Sequence, residues 1–395
     1  MSNKEDFLEH QGQTNQSPLL IDIERSEGIY IYDKSGKSYM DMIAGVAVNN
    51  IGHNHPKVIT ALKSQIDRHL HVMVYGEFIQ DAQLNFSTKL ASLLPENLNS
   101  VYTVNSGTAA NEAALKLAKR VTGRSELISF KGSYHGSTHG SMSVSGNESK
   151  KEAFRPLLPD VRFLEFNSIK DLEFITKKTA GIIIETIQGD AGVRVSSQEF
   201  MTALRNKCNE VGALLIFDEI QCGIGRTGKL FAFEHFKVYP DILTLGKALG
   251  GGMPIGALVS SKELLHEFTF NPMLGHITTF GGHPVICAAA NACLEVMETE
   301  INYDEIERLG QLLEDLIKVD SEIIEVRRIG MMFAFDMESF ERVEKVVKNC
   351  LENGLISFWF LSHPDSFRLS PPLTITEEEI RKAAKIILEA IRETK

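Results

Sequence analysis

The spacing of hydrophobic and polar residues divides the chain into three stretches. Near the start, GIYIYDKSGKSYMDM alternates apolar and polar residues around a turn signal at Asp33–Gly36, which predicts a β-hairpin. From about residue 57 to 270, short apolar runs alternate with amphipathic stretches. The runs of strand length are Ser100–Val104, Glu126–Phe130, Ala180–Glu185, Ala213–Phe217, Asp241–Leu245 and Ala257–Ser260.

Several of these runs are apolar at consecutive positions, as in Ile182–Ile184 and Leu214–Phe217. A strand with two apolar faces is typical of a parallel sheet that helices cover on both sides. Thr108–Arg120 and Ser197–Val211 have the helical spacing that completes βαβ units. The middle stretch therefore predicts an α/β fold with a mostly parallel sheet.

The last stretch predicts a smaller α+β unit. Val285–Glu300 and Tyr303–Val319 have helical spacing, and Ile323–Ile329 and Met332–Met337 are strand-like. We expect this unit to pack beside the N-terminal hairpin. The predicted organisation is a segment 1–56 that contributes to the small domain, a large domain 57–284 that carries the ligand site, and a C-terminal small domain 285–395.

Composition narrows the class of protein. The 395 residues are 43% hydrophobic and 24% charged, as in ordinary globular proteins, and the net charge is −11. A negative surface repels phosphate backbones, which argues against nucleic-acid binding. No apolar run reaches the roughly 18 residues of a membrane span, and the polar N-terminus does not resemble a secretory signal. Five cysteines without a CxxC pair favour reduced thiols over disulfides or a zinc site, so we expect a cytoplasmic enzyme.

A candidate phosphate site follows the first predicted strand of the middle stretch, at the sheet edge where α/β folds bind ligands. The segment is Asn105-Ser106-Gly107-Thr108, at the start of a predicted helix. Free backbone N–H groups, two hydroxyls and the helix dipole form a phosphate cradle at such a position. Taken alone, Ser106 or Thr108 equally fits a simple helix cap.

A candidate acid and a candidate nucleophile follow two further strands. Asp218 comes directly after Leu214–Phe217, and Lys247 comes shortly after Asp241–Leu245 in GKALGGG. Alone, either has an ordinary interpretation, as a capping acid or a surface amine. A lysine at an apolar, glycine-rich strand end is desolvated, however, which favours its neutral, nucleophilic form. The two residues lie 29 positions apart, about one βαβ repeat, so they can face one site.

Together the three segments predict a pyridoxal 5′-phosphate (PLP) enzyme. Such an enzyme needs a phosphate cradle, a lysine that binds the cofactor's aldehyde, and an acid that keeps the pyridine nitrogen protonated. The protonated ring then accepts electrons from the substrate. The combination is more specific than any one of its parts.

Other motifs are rejected. GIGRTG at 223–228 matches G-x-G-x-x-G, but it begins six residues after the strand and precedes no clear helix, which does not fit a dinucleotide site. Gly246-Lys247-Ala248 is not a Walker A motif because no Ser or Thr follows the lysine. The histidines at 53, 55, 69 and 71 lack the spacing of an HExxH helix and are more typical of turns and surfaces than of metal sites.

The sequence resembles the class III PLP-dependent aminotransferases, the group of ornithine, acetylornithine and 4-aminobutyrate aminotransferases. The likeness runs from about Ile21 to the C-terminus. It is carried by the motifs GIYIYDKSGKSYMDM, NIGHNHPKV, NSGTAANEAALKLAKR, SYHGS, IIIETIQGDAGV, LLIFDEIQCGIGRTGKLFAFEHFKVYPDILTLGKALGGGMPIGA, TTFGGHP and FRLSPPL. The resemblance implies the fold-type I architecture, in which a large domain with a mostly parallel sheet accompanies a smaller α+β domain. It also implies a homodimer whose active site lies at the interface.

The resemblance further implies site residues by matching position. Lys247 and Asp218 would be catalytic, on the cofactor's aldehyde and pyridine nitrogen. The implied cofactor-binding set is Ser106, Gly107, Thr108, Tyr134, His135, Asp218, Gln221, Lys247 and Thr279. In that set Tyr134 would stack on the ring, Gln221 would lie near the ring hydroxyl, and Thr279 would reach the phosphate of the partner subunit.

Two residues would act on the substrate. Arg368 matches the arginine that binds a substrate carboxylate with two prongs. Asp190 matches the acid that pairs with this arginine when an amine without a nearby carboxylate is bound, although the family's usual acid is glutamate.

One departure bears on the substrate. Ser137 stands where the ornithine and acetylornithine enzymes have an arginine for the distal carboxylate, and losing such a contact costs roughly 2–5 kcal/mol. By a looser alignment, Gln16 and Val46 stand where the ornithine enzymes use tyrosines. These differences argue against ornithine and acetylornithine as donors, unless Arg155 or Arg162 reaches the site.

The sequence therefore predicts an aminotransferase that moves an amino group from an ω-amino acid, a diamine or a basic amino acid to a 2-oxo acid, 2-oxoglutarate or pyruvate. In its ping-pong mechanism the freed Lys247 amine serves as base and then as acid. The alternatives are a decarboxylase, racemase or aminomutase on the same scaffold, a nicotinamide-dependent oxidoreductase, and a non-catalytic module with this fold.

Overall fold

The computed structural model describes residues 3–395, which form one central sheet and three smaller ones. The strands are β1 (Ile23–Glu27), β2 (Tyr30–Asp33), β3 (Ser38–Asp41), β4 (Ser100–Val104), β5 (Glu126–Phe130), β6 (Val161–Leu164), β7 (Thr179–Glu185), β8 (Ile187–Gln188), β9 (Arg194–Val195), β10 (Leu214–Asp218), β11 (Ile242–Gly246), β12 (Gly256–Ser260), β13 (Glu325–Ile329), β14 (Met332–Asp336), β15 (Leu355–Ile356), β16 (Phe358–Trp359) and β17 (Ser366–Leu369).

Helices surround these sheets. The α-helices are Asn3–His10, Pro56–Arg68, Asp81–Ser92, Gly107–Thr122, His139–Ser143, Gln198–Val211, Lys262–His266, Pro284–Thr299, Tyr303–Ile317, Phe340–Glu352 and Glu377–Glu393. Short 3₁₀ helices are Glu148–Lys150, Glu152–Phe154, Lys170–Phe174, Ala232–His235, Lys247–Gly250 and Glu267–Thr269.

The central sheet has seven strands in the order β4-β12-β11-β10-β7-β5-β6. β10 runs parallel to β7 and β11, and β5 runs parallel to β6 and β7. β12 runs antiparallel to both of its neighbours, β11 and β4. The predicted α/β fold with a mostly parallel sheet is confirmed, and β12 is its one reversed strand.

The consecutive apolar residues of the central strands pack on opposite faces of the sheet. In β10, Leu215 and Phe217 belong to one hydrophobic cluster, whereas Ile216 between them belongs to the other. Ile182 and Ile183 of β7 divide in the same way. This is the physical basis of the pattern, because a strand that is covered on both sides needs apolar side chains at every position.

The N-terminal hairpin and the last third of the chain share a sheet. β2 and β3 pair antiparallel around the predicted turn, and β15 adds to β3 in parallel, with Leu355 opposite Met40. A second small sheet has the order β13-β14-β17-β16 and is antiparallel throughout. The boundaries of the three domains stay a prediction.

Some elements carry no strong signal in the sequence. β6 is an edge strand with a partly exposed, mixed face, and β8 and β9 are only two residues long. Ala44–Ala47 forms a left-handed turn, with φ of 47°, 59°, 66° and 59° at its four residues. Because only Gly45 adopts such values without strain, the surrounding structure must impose this turn.

Two features of the described residues concern membrane spans and metal ligands. No helix within 3–395 is both long and apolar enough to cross a bilayer. Over the same residues, no group of three or more His, Cys, Asp or Glu side chains is arranged to hold a metal ion. The five cysteines are buried and unpaired.

Candidate active site

The carboxyl ends of three neighbouring strands form the floor of the site. The register places Asp218 of β10 opposite Glu185 of β7 on one side and Thr244 of β11 on the other. Lys247 follows β11 directly. Two acids and an amine therefore meet at one edge of the sheet, as the spacing of Asp218 and Lys247 predicts.

Three donors hold the carboxylate of Asp218. His135 Nδ1 lies 2.7 Å from Oδ2, Asn111 Nδ2 donates to the same oxygen at 2.7 Å, and the Ile220 N–H donates to Oδ1 at 3.0 Å. Because an ionised carboxylate only accepts, Nδ1 of His135 carries the proton in this contact. Asp218 is 4% exposed, and its orientation is fixed by these partners.

Asn111 is fixed in turn. Its Nδ2 also donates to the carbonyl of His135 at 2.7 Å, and its Oδ1 accepts from the Thr244 hydroxyl at 2.8 Å. The amide thus joins β11, His135 and Asp218 into one buried hydrogen-bond network. Such satisfied networks rigidify a site.

Lys247 is a partly buried amine without a partner. Its Nζ makes no hydrogen bond or ion pair with any other residue of 3–395, and its backbone has the left-handed φ of 44°. Burial lowers the pKa of Lys247, although the charges of Asp218 and Glu185 act in the opposite direction. The positive charge of Arg368 lowers this pKa further. A lowered pKa favours the neutral amine, which is the nucleophilic form.

Glu185 is a buried acid that titrates near neutrality. It accepts the N–H groups of Tyr134 at 2.8 Å and Gly189 at 3.0 Å. Burial, reinforced by the charge of Asp218, raises its pKa to about 7, whereas His135 and the two hydrogen bonds lower it.

The predicted phosphate turn starts the helix Gly107–Thr122. Ser106 is its N-cap and accepts the Ala109 N–H at 3.3 Å, so the capping interpretation of Ser106 holds as well. A Cβ on Gly107 would lie 2.8 Å from the Ile220 side chain, which excludes larger residues. Thr108 Oγ1 is hydrogen-bonded to the hydroxyls of Thr138 and Ser141, at 2.8 Å and 2.6 Å. The first N–H groups of a helix lack acceptors within it, and here they face a hydroxyl-rich surface.

These elements enclose a cavity of about 220 Å³. Its lining consists of Gly107, Thr108, Tyr134, His135, Gly136, Ser137, Glu185, Asp218, Ile220, Gln221, Cys222 and Lys247. Six of the predicted cofactor residues besides Lys247 are in this lining. Of the rest of that set, Ser106 caps the adjoining helix, and Thr279 lies elsewhere on the surface, where its carbonyl accepts from His71 Nε2 at 3.0 Å.

Arg368 is a buried cation without a counterion in contact. It is 8% exposed and makes no side-chain hydrogen bond or ion pair to the rest of 3–395. Its guanidinium carbon lies 5.8 Å from the ring centre of Phe358 and 5.7 Å from that of Phe360. Burial lowers its pKa, and the charge of Asp190 opposes that effect. An unpaired buried charge is costly, so the site is suited to an anionic ligand.

Arg226 in the rejected GIGRTG motif is a structural residue. It is fully buried and donates to the carbonyls of Met331 at 3.1 Å and Pro371 at 2.6 Å, and to the side chain of Asn50. Pro371 is three residues after Arg368. The motif thus ties the central sheet to the strand that carries Arg368.

The expected replacements for the missing distal arginine are elsewhere. Ser137 lines the cavity and is exposed. Arg155 pairs with Glu148, and Arg162 lies 3.3 Å from Glu126. Within 3–395 neither arginine lines the cavity.

Sequence reasoning missed Asn111 and Glu185. Each has a signal that was available. Asn111 is a lone amide among alanines on the buried face of its helix, and Glu185 is a charge that ends a fully buried strand. A polar group at such a position needs a partner, which marks it as part of a network.

The donor set fits PLP. The cavity holds a partnerless amine for an aldehyde, an oriented acid for a ring nitrogen, and a glycine- and hydroxyl-lined helix start for a phosphate. Gly107 and Gly136 let the backbone pack closely against Ile220 and Thr108, since a Cβ on either glycine would collide with these side chains.

Comparison with known proteins gives a consistent result. The sequence model of the family described as "Aminotransferase class-III" matches residues 11–391. Acetylornithine aminotransferase of Methanocaldococcus jannaschii is 39% identical over 391 residues, which cover 95% of this chain and 95% of that protein.

Two solved structures extend the comparison. Ornithine aminotransferase from Toxoplasma gondii ME49 superimposes with a TM-score of 0.91 at 30% identity, over 100% of this chain and 96% of that one. An (S)-enantioselective omega-transaminase from Thermomicrobium roseum gives a TM-score of 0.91 at 26% identity, over 99% and 97%.

Proposed function

Because the chain belongs to the class-III aminotransferases and is therefore a PLP-dependent transferase of amino groups, we propose that its residues share the work as follows. Lys247 carries the cofactor at its aldehyde carbon, and Asp218 faces the pyridine nitrogen. Ser106, Gly107 and Thr108 hold the phosphate, together with Thr279 of a second copy. Tyr134, His135 and Gln221 surround the ring.

One observation carries this proposal: the partnerless amine of Lys247 opens into the same cavity as the carboxylate of Asp218, which His135 and Asn111 orient. Bound PLP supplies an electron sink for the carbon that loses its proton. The chain's own part is to direct the Asp218 carboxyl group at the ring through His135 and Asn111, and to supply the Lys247 amine.

Lys247 performs the proton transfer. With PLP bound and the substrate amine in place of Lys247 at the aldehyde carbon, the released Lys247 amine would take the proton from the substrate carbon as base and give a proton back as acid. The lowered pKa of Lys247 supports this role, since a general base must be neutral before it acts. Hydrolysis then releases a carbonyl product, and a 2-oxo acid takes the amino group in the reverse sequence.

On the substrate side, Arg368 binds a carboxylate, and the negative charge of Asp190 acts on Arg368. Donor candidates are an ω-amino acid, a diamine or a basic amino acid, with 2-oxoglutarate or pyruvate as acceptor. The names of the relatives, which act on acetylornithine, ornithine or ω-amines, support this range. Ser137 supplies no charge for a distal carboxylate, so we expect ornithine and acetylornithine to be weak donors.

We also propose a homodimer. Thr279 is not among the residues that line the cavity of its own chain, and it lies in an exposed apolar region that includes Met273, Ile277 and Phe280. A second copy would cover this region and bring Thr279 to the phosphate turn. The five unpaired cysteines support a reducing, cytoplasmic location.

A donor screen tests the proposed function. Purified PLP-loaded protein is incubated with ω-amino acids, diamines and basic amino acids, each with 2-oxoglutarate or pyruvate, and the formation of glutamate or alanine is followed. We expect at least one donor to give parallel lines in double-reciprocal plots, the pattern of a ping-pong reaction. Retention of the visible cofactor band with every donor would refute the proposal.

A further inference from the structure

Both oxygens of Asp190 are already occupied by a neighbouring segment. The Ser362 hydroxyl donates to Oδ2 at 2.7 Å, and the Leu361 N–H donates to Oδ1 at 3.3 Å. Asp190 is 8% exposed, and it forms no ion pair with Arg368 within 3–395. The acid is therefore directed at the 361–362 segment, although its charge is still felt at Arg368.

The direction of the Ser362 hydroxyl is set by Asn147. The amide nitrogen of Asn147 lies 2.9 Å from Ser362 Oγ and can only donate. Ser362 Oγ must then accept from Asn147, which leaves its own proton for Asp190. Asn147 itself is fixed, because its Oδ1 accepts the N–H and hydroxyl of Ser149, at 3.1 Å and 2.8 Å.

Arg368 is the partner that this arrangement leaves unpaired. More than nine-tenths of the residue is buried, and Nε has no hydrogen-bond partner among the described residues. Its charge nevertheless acts on the Lys247 amine and lowers the pKa of that amine. A ligand that brings a carboxylate to Arg368 gives this cation the partner that it lacks.

We propose that Asn147 and Ser362 latch Asp190 away from Arg368, so that the site selects amino acids whose carboxylate reaches Arg368 while their amine reaches Lys247, over amines that lack this carboxylate. The proposal rests on the proposed function and deepens it. Among the donors considered above it favours amino acids that react beside their carboxylate, and it disfavours diamines. Ser362 and Asn147 are positioning residues in this scheme, since they act through Asp190.

The latch is tested with a matched pair of donors that differ only in the carboxylate. L-Alanine and ethylamine are compared by the rate at which each removes the visible band of the PLP-loaded enzyme. We expect the wild-type kcat/KM for L-alanine to exceed that for ethylamine by more than about a hundredfold. Ser362→Ala releases Asp190 toward Arg368 and should lower this preference about tenfold, whereas Ser362→Thr keeps the hydroxyl and the wild-type preference.

A binding measurement separates the latch from the chemistry. Propionate has the carbon skeleton of alanine without the amine, and its affinity for the loaded enzyme is measured by calorimetry. Because Asp190 would compete for Arg368, Ser362→Ala should weaken propionate about tenfold, and Asn147→Ala should shift it in the same direction by less. Ser362→Thr should stay within about twofold of the wild type.

The outcomes distinguish the two proposals. If no donor removes the cofactor band but Ser362→Ala still weakens propionate, the proposed function fails and the latch stands. If transamination proceeds while neither Ser362→Ala nor Asn147→Ala changes the donor preference or propionate binding, the latch is wrong.

Discussion

Asp218 and Arg368 are buried charged residues of opposite sign that both act on the Lys247 amine, and their surroundings differ completely. Asp218 is 4% exposed and receives three hydrogen bonds, from His135, Asn111 and the Ile220 N–H. Arg368 is 8% exposed and has no hydrogen-bonding partner within 3–395 apart from those of its backbone. The degree of burial therefore does not determine how many hydrogen-bond partners a charged side chain has in this site.

The difference follows from the ligand that each residue binds in the proposed function: Asp218 faces the cofactor, and Arg368 faces the substrate. The cofactor stays bound from one turnover to the next, so a rigid and fully bonded acid can be matched to it once. Substrates exchange in every turnover, and each must bind through contacts that it forms on arrival. A cation left without a partner stores an unfavourable desolvation that an incoming carboxylate relieves.

Lys247→Ala removes the amine on which both Asp218 and Arg368 act. We expect turnover to fall below detection and the visible cofactor band to be lost, because no other amine lines the cavity. Absorbance spectra and the glutamate assay measure these two effects. Full activity of the variant would refute the assignment of Lys247.

Asp218→Asn breaks the fully bonded side. The amide keeps the shape of the acid but loses its charge, and one of its ends must face donors from His135 and Asn111. A charged hydrogen bond is worth about 1.5–3 kcal/mol, so loss of the charge that faces the ring nitrogen should lower kcat roughly 10- to 150-fold or more. The variant should also unfold at lower urea concentration than the wild type. An unchanged kcat would contradict the proposed contact with the ring nitrogen.

Arg368→Leu breaks the unpaired side. Loss of a charged hydrogen bond to the substrate, about 1.5–3 kcal/mol, should lower kcat/KM for L-alanine about 10- to 150-fold. The absorbance band should stay, because Arg368 does not line the cofactor cavity.

The stability of the Arg368→Leu variant sharpens the comparison. No native hydrogen bond of this side chain is lost, and a desolvated charge is removed, so the urea midpoint should be equal to or higher than that of the wild type. A loss of stability as large as that of Asp218→Asn would show that the two sides do not differ.

Much of this contrast could be predicted from the sequence. Asp218 and Lys247 come directly after consecutive apolar residues, and strand ends of a parallel sheet meet at one edge. The residues that orient Asp218 are less visible, because Asn111 and His135 reach it over 107 and 83 positions of chain. Such contacts depend on the packing of a helix and a loop, which local patterns do not encode.

Other features were out of reach for the same reason. The left-handed turn Ala44–Ala47 contains Val46, a β-branched residue that resists positive φ. Its conformation is imposed from outside: Asp41 accepts the N–H groups of Ile43 and Gly45, and Ser370 donates its hydroxyl to the carbonyl of Ile43. Nor does the motif around Asp190 reveal Ser362, 172 residues away. The family resemblance identified Asp190 as a site residue, whereas its hydrogen-bond partner Ser362 became visible only in the structure.

Glu219, the neighbour of Asp218 in the chain, tests whether hydrogen bonds alone can keep a buried acid ionised. It also accepts three of them, from the N–H groups of Ala232 at 2.7 Å and Phe233 at 2.6 Å and from the Thr186 hydroxyl at 3.4 Å, but no cation or imidazole among residues 3–395 contacts it. Burial raises its pKa to about 8, from the ordinary 4.5. The folded protein therefore binds more protons than the unfolded chain between these two values, and stability must fall as pH rises through this window.

The effect of Glu219 is measurable as a pH-dependent difference in unfolding free energy. At pH 5 the wild type should exceed Glu219→Gln, whose amide cannot accept every N–H that the acid accepts. This advantage should shrink toward pH 8, by at most roughly 1.4 kcal/mol per pH unit. Glu377→Gln is the matched control: Glu377 is exposed, and its ion pairs with Arg381 and Arg308 lower its pKa, so its contribution should be constant from pH 5 to 8. A constant difference for Glu219→Gln as well would mean that three hydrogen bonds suffice to keep a buried carboxylate charged.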